Sequence, residues 1–201
     1  MLVARATTIF VSTAIKTAMS YPLLADSLNL ETWSLGDFKT TTKSKQRYAP
    51  IMATGRPVLV KLSSNPLACP FGIGKFQDID SGRISLDLIV DDESLIRSLE
   101  SIDEWAKVEG GKQHIKGTYK PLLLDNERYG NKKVKVKVQL DTTKFWSASK
   151  LPYDCLPELR GSELDCVVQV SKVWVGVDQW GVTLELRHAL VHESMLAACP
   201  F

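Results

Sequence analysis

The stretch LDCVVQVSKVWVGVDQWGVTLELRHALVHE, residues 164–193, decides the fold. Leu164, Cys166, Val168 and Val170 alternate with polar residues, as one buried face of a β-strand requires. Val173 and Val175 resume the alternation one position out of phase, which predicts a bulge near Ser171 and Lys172. The segment from Gly176 to Gly181 supplies a turn, and Val182, Leu184, Leu186, His188 and Leu190 alternate on the return. The reading is a long antiparallel hairpin with Trp174 and Trp180 near its tip.

Working outward, KVKVKVQL at residues 133–140 is a second strand, with Val134, Val136, Val138 and Leu140 on the core face and Lys133, Lys135, Lys137 and Gln139 on the other. Same-face neighbours on a strand lie ~7 Å apart, so three ammonium groups in a row repel unless an anion or acidic side chains face them. The row either wants a negative partner or guards an edge strand against aggregation. RISLDLIV, residues 83–90, alternates in the same way. Asp91, Asp92 and Glu93 then load the first turn of a helix, and Leu95, Leu99, Ile102 and Ala106 recur at helical spacing until Gly110 and Gly111, which should stop it. Shorter strands are expected near residues 57–62 and 71–76. Strands outnumber helices and are mostly sequential, which predicts a mainly β protein, a small five-stranded Greek-key barrel with one inserted helix.

The chain has 201 residues, 44% hydrophobic and 24% charged, enough for a sizeable core without disulfide or metal staples. No run approaches the ~18 apolar residues that a membrane span needs. Cys69, Cys155, Cys166 and Cys199 are too scattered for a disulfide scaffold and suit a reducing intracellular compartment. Residues 1–25 carry Arg5 and Lys16 and no acid, the composition of an organellar transit peptide or of an extension that packs on the domain or on a neighbouring subunit. Charge is segregated. Residues 39–61 hold six basic side chains and no acid, and the polar stretch TTTKSKQRYAP within them, residues 40–50, reads as a loop or arm. Residues 78–104 hold nine acids against Arg83 and Arg97, and residues 112–144 hold nine Lys and Arg against Asp125, Glu127 and Asp141. Faces of opposite potential concentrate oppositely charged partners.

No catalytic constellation is present, and neither metal nor cofactor is expected. There is no G-x-S-x-G turn and no phosphate loop. His188 and His192, four apart on a strand, are separated by ~13 Å, too far to share an ion, and the spacing of Cys155 and Cys166 matches no usual ligand pair. Asp91, Asp92 and Glu93 are explained by the helix N-terminus. What remains is a mixture of cations and rings: Tyr119, Lys120, Arg128, Tyr129, Lys133, Lys135, Lys137, Lys144 and Trp146, to which the hairpin adds Lys172, Trp174 and Trp180. A groove for a single nucleic-acid strand needs cations for phosphates and exposed rings for stacking. Each ring is equally a candidate for the core, and Trp105 in the acidic helix is read as core.

The run GRISLDLIVDDESLIRSLESIDEWA, followed by GTYKPLL, the lysine strand KKVKVKVQL and the segment LRGSELD leading into the hairpin, resembles the single-stranded DNA-binding proteins of short-tailed coliphages and of large eukaryotic DNA viruses. Pro70, Phe71 and Gly72 also look like the viral members. The resemblance spans residues 57–193 and implies an oligonucleotide-binding barrel that coats transient single-stranded DNA, or RNA, during replication or recombination. It further implies a homo-oligomer and hand-over to a polymerase or helicase, with no chemical step. Lys133, Lys135, Lys137, Tyr119 and Lys120 would line the groove, with Trp146 and Trp174 stacking on bases. Residues 1–56 would form an arm and 194–201 a short tail. Members of that family carry a long acidic tail, whereas HESMLAACPF has Glu193 as its one acid, although the terminal Pro200-Phe201 resembles the ending of bacterial single-strand binders. The competing expectation is a viral coat or scaffold subunit that uses residues 1–56 to bridge its neighbours.

Overall fold

The computed structural model describes residues 23–42, 46–73, 83–126 and 130–192. In chain order these form β1 (Leu23–Leu24), two 3-10 turns (Ala25–Ser27 and Leu30–Thr32), β2 (Trp33–Leu35), β3 (Lys39–Thr40), β4 (Arg47–Ala53), β5 (Arg56–Lys61), β6 (Leu67–Cys69) and β7 (Arg83–Val90). There follow α1 (Glu93–Lys112), β8 (Thr118–Lys120), β9 (Leu123–Asn126), β10 (Asn131–Gln139), β11 (Lys144–Ser147), β12 (Ser162–Val175) and β13 (Gln179–His192). Among the described residues the chain is mainly β with one α-helix, as the sequence predicts, and its mixed sheet makes an oligonucleotide-binding-like barrel with the helix inserted. None of the described helices is long and apolar enough to cross a membrane.

The β12–β13 hairpin is the spine. β4, β5 and β6 run antiparallel to β12, while β8, β10 and β11 run parallel to β13. β7 lies antiparallel on the far side of β10, and β6, paired to β12, also packs against β7. The neighbours β7, β10, β13, β12 and β6 therefore return on themselves around a single core. That core takes the alternate residues of every strand: Leu86 and Leu88 of β7, Val134, Val136 and Val138 of β10, and Val168 and Val170 of β12 are all fully buried. Each such side chain contributes about 1.5–3 kcal/mol relative to an exposed one.

Two bulges reset the alternation in the hairpin. One lies between Val170 and Lys172, where the sequence predicts it, and the second lies at Arg187 opposite Val167 and Val168. Beyond the second bulge the parity of β13 inverts. His188 and Leu190, expected inside, face out, and Ala189 and Val191 fill the core instead.

Three further expectations are corrected. The strand expected at 71–76 is β6 at Leu67–Cys69, and residues 74–76 lie outside the described residues. The helix is not stopped by its glycines. Asp92 caps it by accepting from the Ser94 N–H at 2.8 Å, and it continues through Gly110 and Gly111 to Lys112, ending where His114 adopts a left-handed φ of 52°. Gly110 is there because the Trp180 indole lies against the helix backbone, and a Cβ at that position would fall inside the ring. Gly110→Ala is expected to lose about 1–3 kcal/mol through overpacking despite its better helix propensity, read as a lowered urea midpoint.

The third correction concerns TTTKSKQRYAP, residues 40–50, whose final residues are not a solvated loop, whereas the strand expected near residues 57–62 is β5. β4 crosses this stretch, pairs with β12 and β5, and buries Ala49 and Ile51 completely. Pro50 hides the strand from a sequence reading, because proline argues against a central position. Here it sits opposite Lys172, at the β12 bulge where the ladder is already irregular. Residues 23–42 and 46–56 are thus joined to the sheet, with Trp33 buried edge-on against Trp105 at a centroid distance of 5.4 Å. The 1–22 segment and the tail 193–201 lie outside the described residues.

Candidate nucleic-acid interface

With one face of the hairpin committed to the core, the intervening residues project together from the other. Near the tip the registers align a row across five strands: Lys39 of β3 opposite Tyr48 of β4, Tyr48 opposite Trp174 of β12, Trp174 opposite Gly181 of β13, and Gly181 opposite Lys120 of β8. At ~4.8 Å between strands the row is ~19 Å long, with rings in its middle and an exposed lysine at each end. Gly181 lets the rings lie low. A Cβ there would stand 2.8 Å from the Lys120 carbonyl and 3.3 Å from the Trp174 indole.

Beside this row opens a groove of about 770 Å³, lined by Tyr48 and Trp174, by Lys137, Lys172 and Thr183, and by Thr40 and its neighbours. The Lys172 ammonium stands 5.5 Å from the centroid of the Tyr48 ring and 3.4 Å from a Glu185 carboxylate oxygen. Glu185 is a buried acid in a basic face, and it is held from both sides. Arg187 donates to its other oxygen at 2.9 Å, to the Gln169 side-chain oxygen at 2.7 and 3.0 Å, and to the Thr142 hydroxyl at 3.2 Å. A buried charge is tolerable only with such partners, and two cations around one carboxylate leave the cluster net positive.

The lysine row of β10 projects on this side, as its alternation requires, but its first members already meet an acid. Lys133 donates to Asp87 of β7 at 2.8 Å, and Lys135 lies 3.9 Å from the other Asp87 oxygen. β10 is flanked by β7 on one side and by β9 and β13 on the other, so the edge-strand explanation of the row fails. Lys137 is the member that reaches the groove.

Two of the rings singled out in the sequence are placed elsewhere. Trp180 is a core residue, 6% exposed, opposite the inward-facing Val175, and its indole N–H donates to the Gly117 carbonyl at 3.2 Å. It has no face left for a base. Tyr119 meets Trp180 edge-on at 4.7 Å, has the Lys107 ammonium 5.5 Å from its centroid, and donates its hydroxyl to the buried Asp103 carboxylate at 2.6 Å. Burial raises the Asp103 pKa against the opposing hydrogen bonds from Tyr119 and the Leu122 N–H. Tyr119 thereby fastens β8 to α1, and its neighbour Lys120 is the residue that reaches the row. Arg128 and Tyr129 lie outside the described residues.

Lys144 and Trp146 are on the same outward face but at the far end of the hairpin, where β11 pairs with His188 and Leu190 of β13. The Trp146 indole N–H donates to His188 Nδ1 at 3.4 Å. Partial burial, with Arg187 and Lys144 near, lowers the His188 pKa below its ordinary 6.5, which keeps the imidazole neutral and able to accept.

Sequence reasoning missed Lys39, Tyr48, Gln169 and Arg187. Tyr48 carried the same signal as the chosen rings, an aromatic among cations, but it sat in the stretch read as a loop. Among the described residues no three His, Cys, Asp or Glu side chains gather as a metal site would need. His192 is paired with Asp165 at 3.0 Å, and burial pushes the thiols of Cys69, to about 11, and Cys166 upward, leaving both unreactive.

No family model and no curated protein matches the chain. Among solved structures it is similar to the single-stranded DNA-binding protein of bacteriophage Enc34 in a C-terminally truncated form, at 11% identity and a TM-score of 0.49, covering 82% of this chain and 98% of that one. The Enc34 protein in complex with single-stranded DNA gives 11% identity and a TM-score of 0.45, with 80% and 96% covered.

Proposed function

We propose that this protein binds single-stranded DNA on the outer face of the β12–β13 hairpin, without a chemical step, and coats transient single strands in replication or recombination. The observation that carries the reading is the cross-strand pair Tyr48–Trp174 lining a groove together with Lys137 and Lys172. Flat rings in an open groove bind the faces of unpaired bases regardless of sequence, and the cations lining it take the phosphates. A duplex hides those base faces inside its own stack, so the arrangement discriminates against it.

Titration of fluorescein-labelled oligothymidine at rising salt tests the reading. The expected result is tight binding to the single strand with quenching of tryptophan fluorescence, a clear preference over duplex, and an affinity that falls with salt at a log–log slope of about −0.7 per phosphate contact. Salt-independent assembly without affinity for nucleic acid would overturn it in favour of a coat or scaffold subunit. Asp87→Asn, which releases Lys133 and Lys135, is expected to tighten binding and to steepen the same slope by about 0.7 for each phosphate gained. An unchanged slope would place the lysine row outside the path.

A further inference from the structure

Resting on that reading, the outer face of the hairpin carries a second aromatic platform. We propose that the bound strand runs lengthwise along the hairpin, from the Tyr48–Trp174 platform to a second one made of Trp146 and His188, instead of across the strands.

The registers place the second platform. Lys61 of β5, Val167 of β12, His188 of β13 and Lys144 of β11 stand side by side in another transverse row, with the Trp146 ring 6.3 Å from the His188 ring and tilted by 32°. Trp174 lies seven positions beyond Val167 on β12, one of them the bulged Ser171, so the rows are ~20 Å apart. The ground between them is cationic. It holds Lys172 and Arg187, and the acid between those two is the buried Glu185 that they already clasp. Beside the second row Asp165 is likewise engaged, by Lys61 at 3.3 Å and His192 at 3.0 Å. Lys144 is exposed and, among the described residues, has no carboxylate within ion-pair distance.

At one end of the tip row β8 is fastened to α1 by the Tyr119–Asp103 hydrogen bond, and the acids of α1 are largely engaged: Asp103 is buried, and Glu100, Glu104 and Glu109 lie against Lys132, Lys107 and Lys112. Along the hairpin a polyanion meets Arg187, the neutral face of His188, Trp146 and Lys144.

The lengthwise path predicts a dependence on strand length. At a stacked rise of ~3.4 Å per nucleotide, four nucleotides cover ~14 Å and reach one platform, while twelve cover ~40 Å and reach both. Trp146→Ala and Lys144→Glu, the latter on an exposed side chain that leaves folding intact, are each expected to weaken binding of a twelve-nucleotide oligothymidine about tenfold and to leave the four-nucleotide oligomer unchanged. Trp174→Ala should weaken both lengths. If the Trp146 and Lys144 variants bind the twelve-mer like wild type while Trp174→Ala still loses affinity for both, the lengthwise path is overturned and the proposed function stands. If the Trp174 variant also binds like wild type, both fall.

Discussion

Trp180→Ala is expected to lose about 3–5 kcal/mol of folding stability, the range for emptying a buried aromatic site. The indole fills the junction between the tip of the hairpin, β8 and the last turn of α1, touching Gly110, Tyr119 and the Gly117 carbonyl. Truncation opens a cavity bounded by backbone that cannot collapse into it, and leaves the Gly117 carbonyl without its donor. The expected measurement is a large fall in the urea midpoint at constant m. A loss under about 1 kcal/mol would show that the ring is not the keystone of that junction.

Trp174→Ala is expected to do the reverse. Six residues away, on the opposite face of the same hairpin, its ring lies over Gly181 beside the groove. Removing it should weaken binding of single-stranded DNA by about 5- to 150-fold, corresponding to ~1–3 kcal/mol for a stacked base, with most of the binding-induced quenching lost and far less stability lost than in Trp180→Ala. Anisotropy titration at fixed salt reads the first effect and denaturation the second. Wild-type affinity in this variant would remove the Tyr48–Trp174 pair from the interface.

The opposite fates of these two tryptophans show where the sequence is readable. Alternation sets the face of each residue on a strand, and Val173 and Val175 on the core side put Trp174 outside. Trp180 depended on the turn. Taking the whole of Gly176–Gly181 as loop left it without a partner, whereas β13 resumes at Gln179 and pairs Trp180 with the inward Val175. Asp87 was legible as an outward residue of its strand, but periodicity gives a face and not a neighbour, so its place beside Lys133 and Lys135 required the β7–β10 pairing. β4 was masked by Pro50 and by the basic residues around it. The helix was correct in phase and wrong in length, because Gly110 serves a neighbouring ring and not a terminus. The hairpin, the lysine strand and the single helix were decided by long periodic runs. Errors fell where an element is short or where contact between distant segments sets the local choice.

The clasp around Glu185 bears on what happens before any ligand arrives. Long cationic side chains ordinarily sample many rotamers in water, and immobilising each one at an interface costs about 0.5–1.5 kcal/mol. Lys172 and Arg187 are already fixed by a carboxylate beneath them, so this ordering is completed when the chain folds. Under the proposed function an arriving phosphate would exchange with a resident counter-charge instead of freezing mobile arms, which favours quick capture and equally quick release.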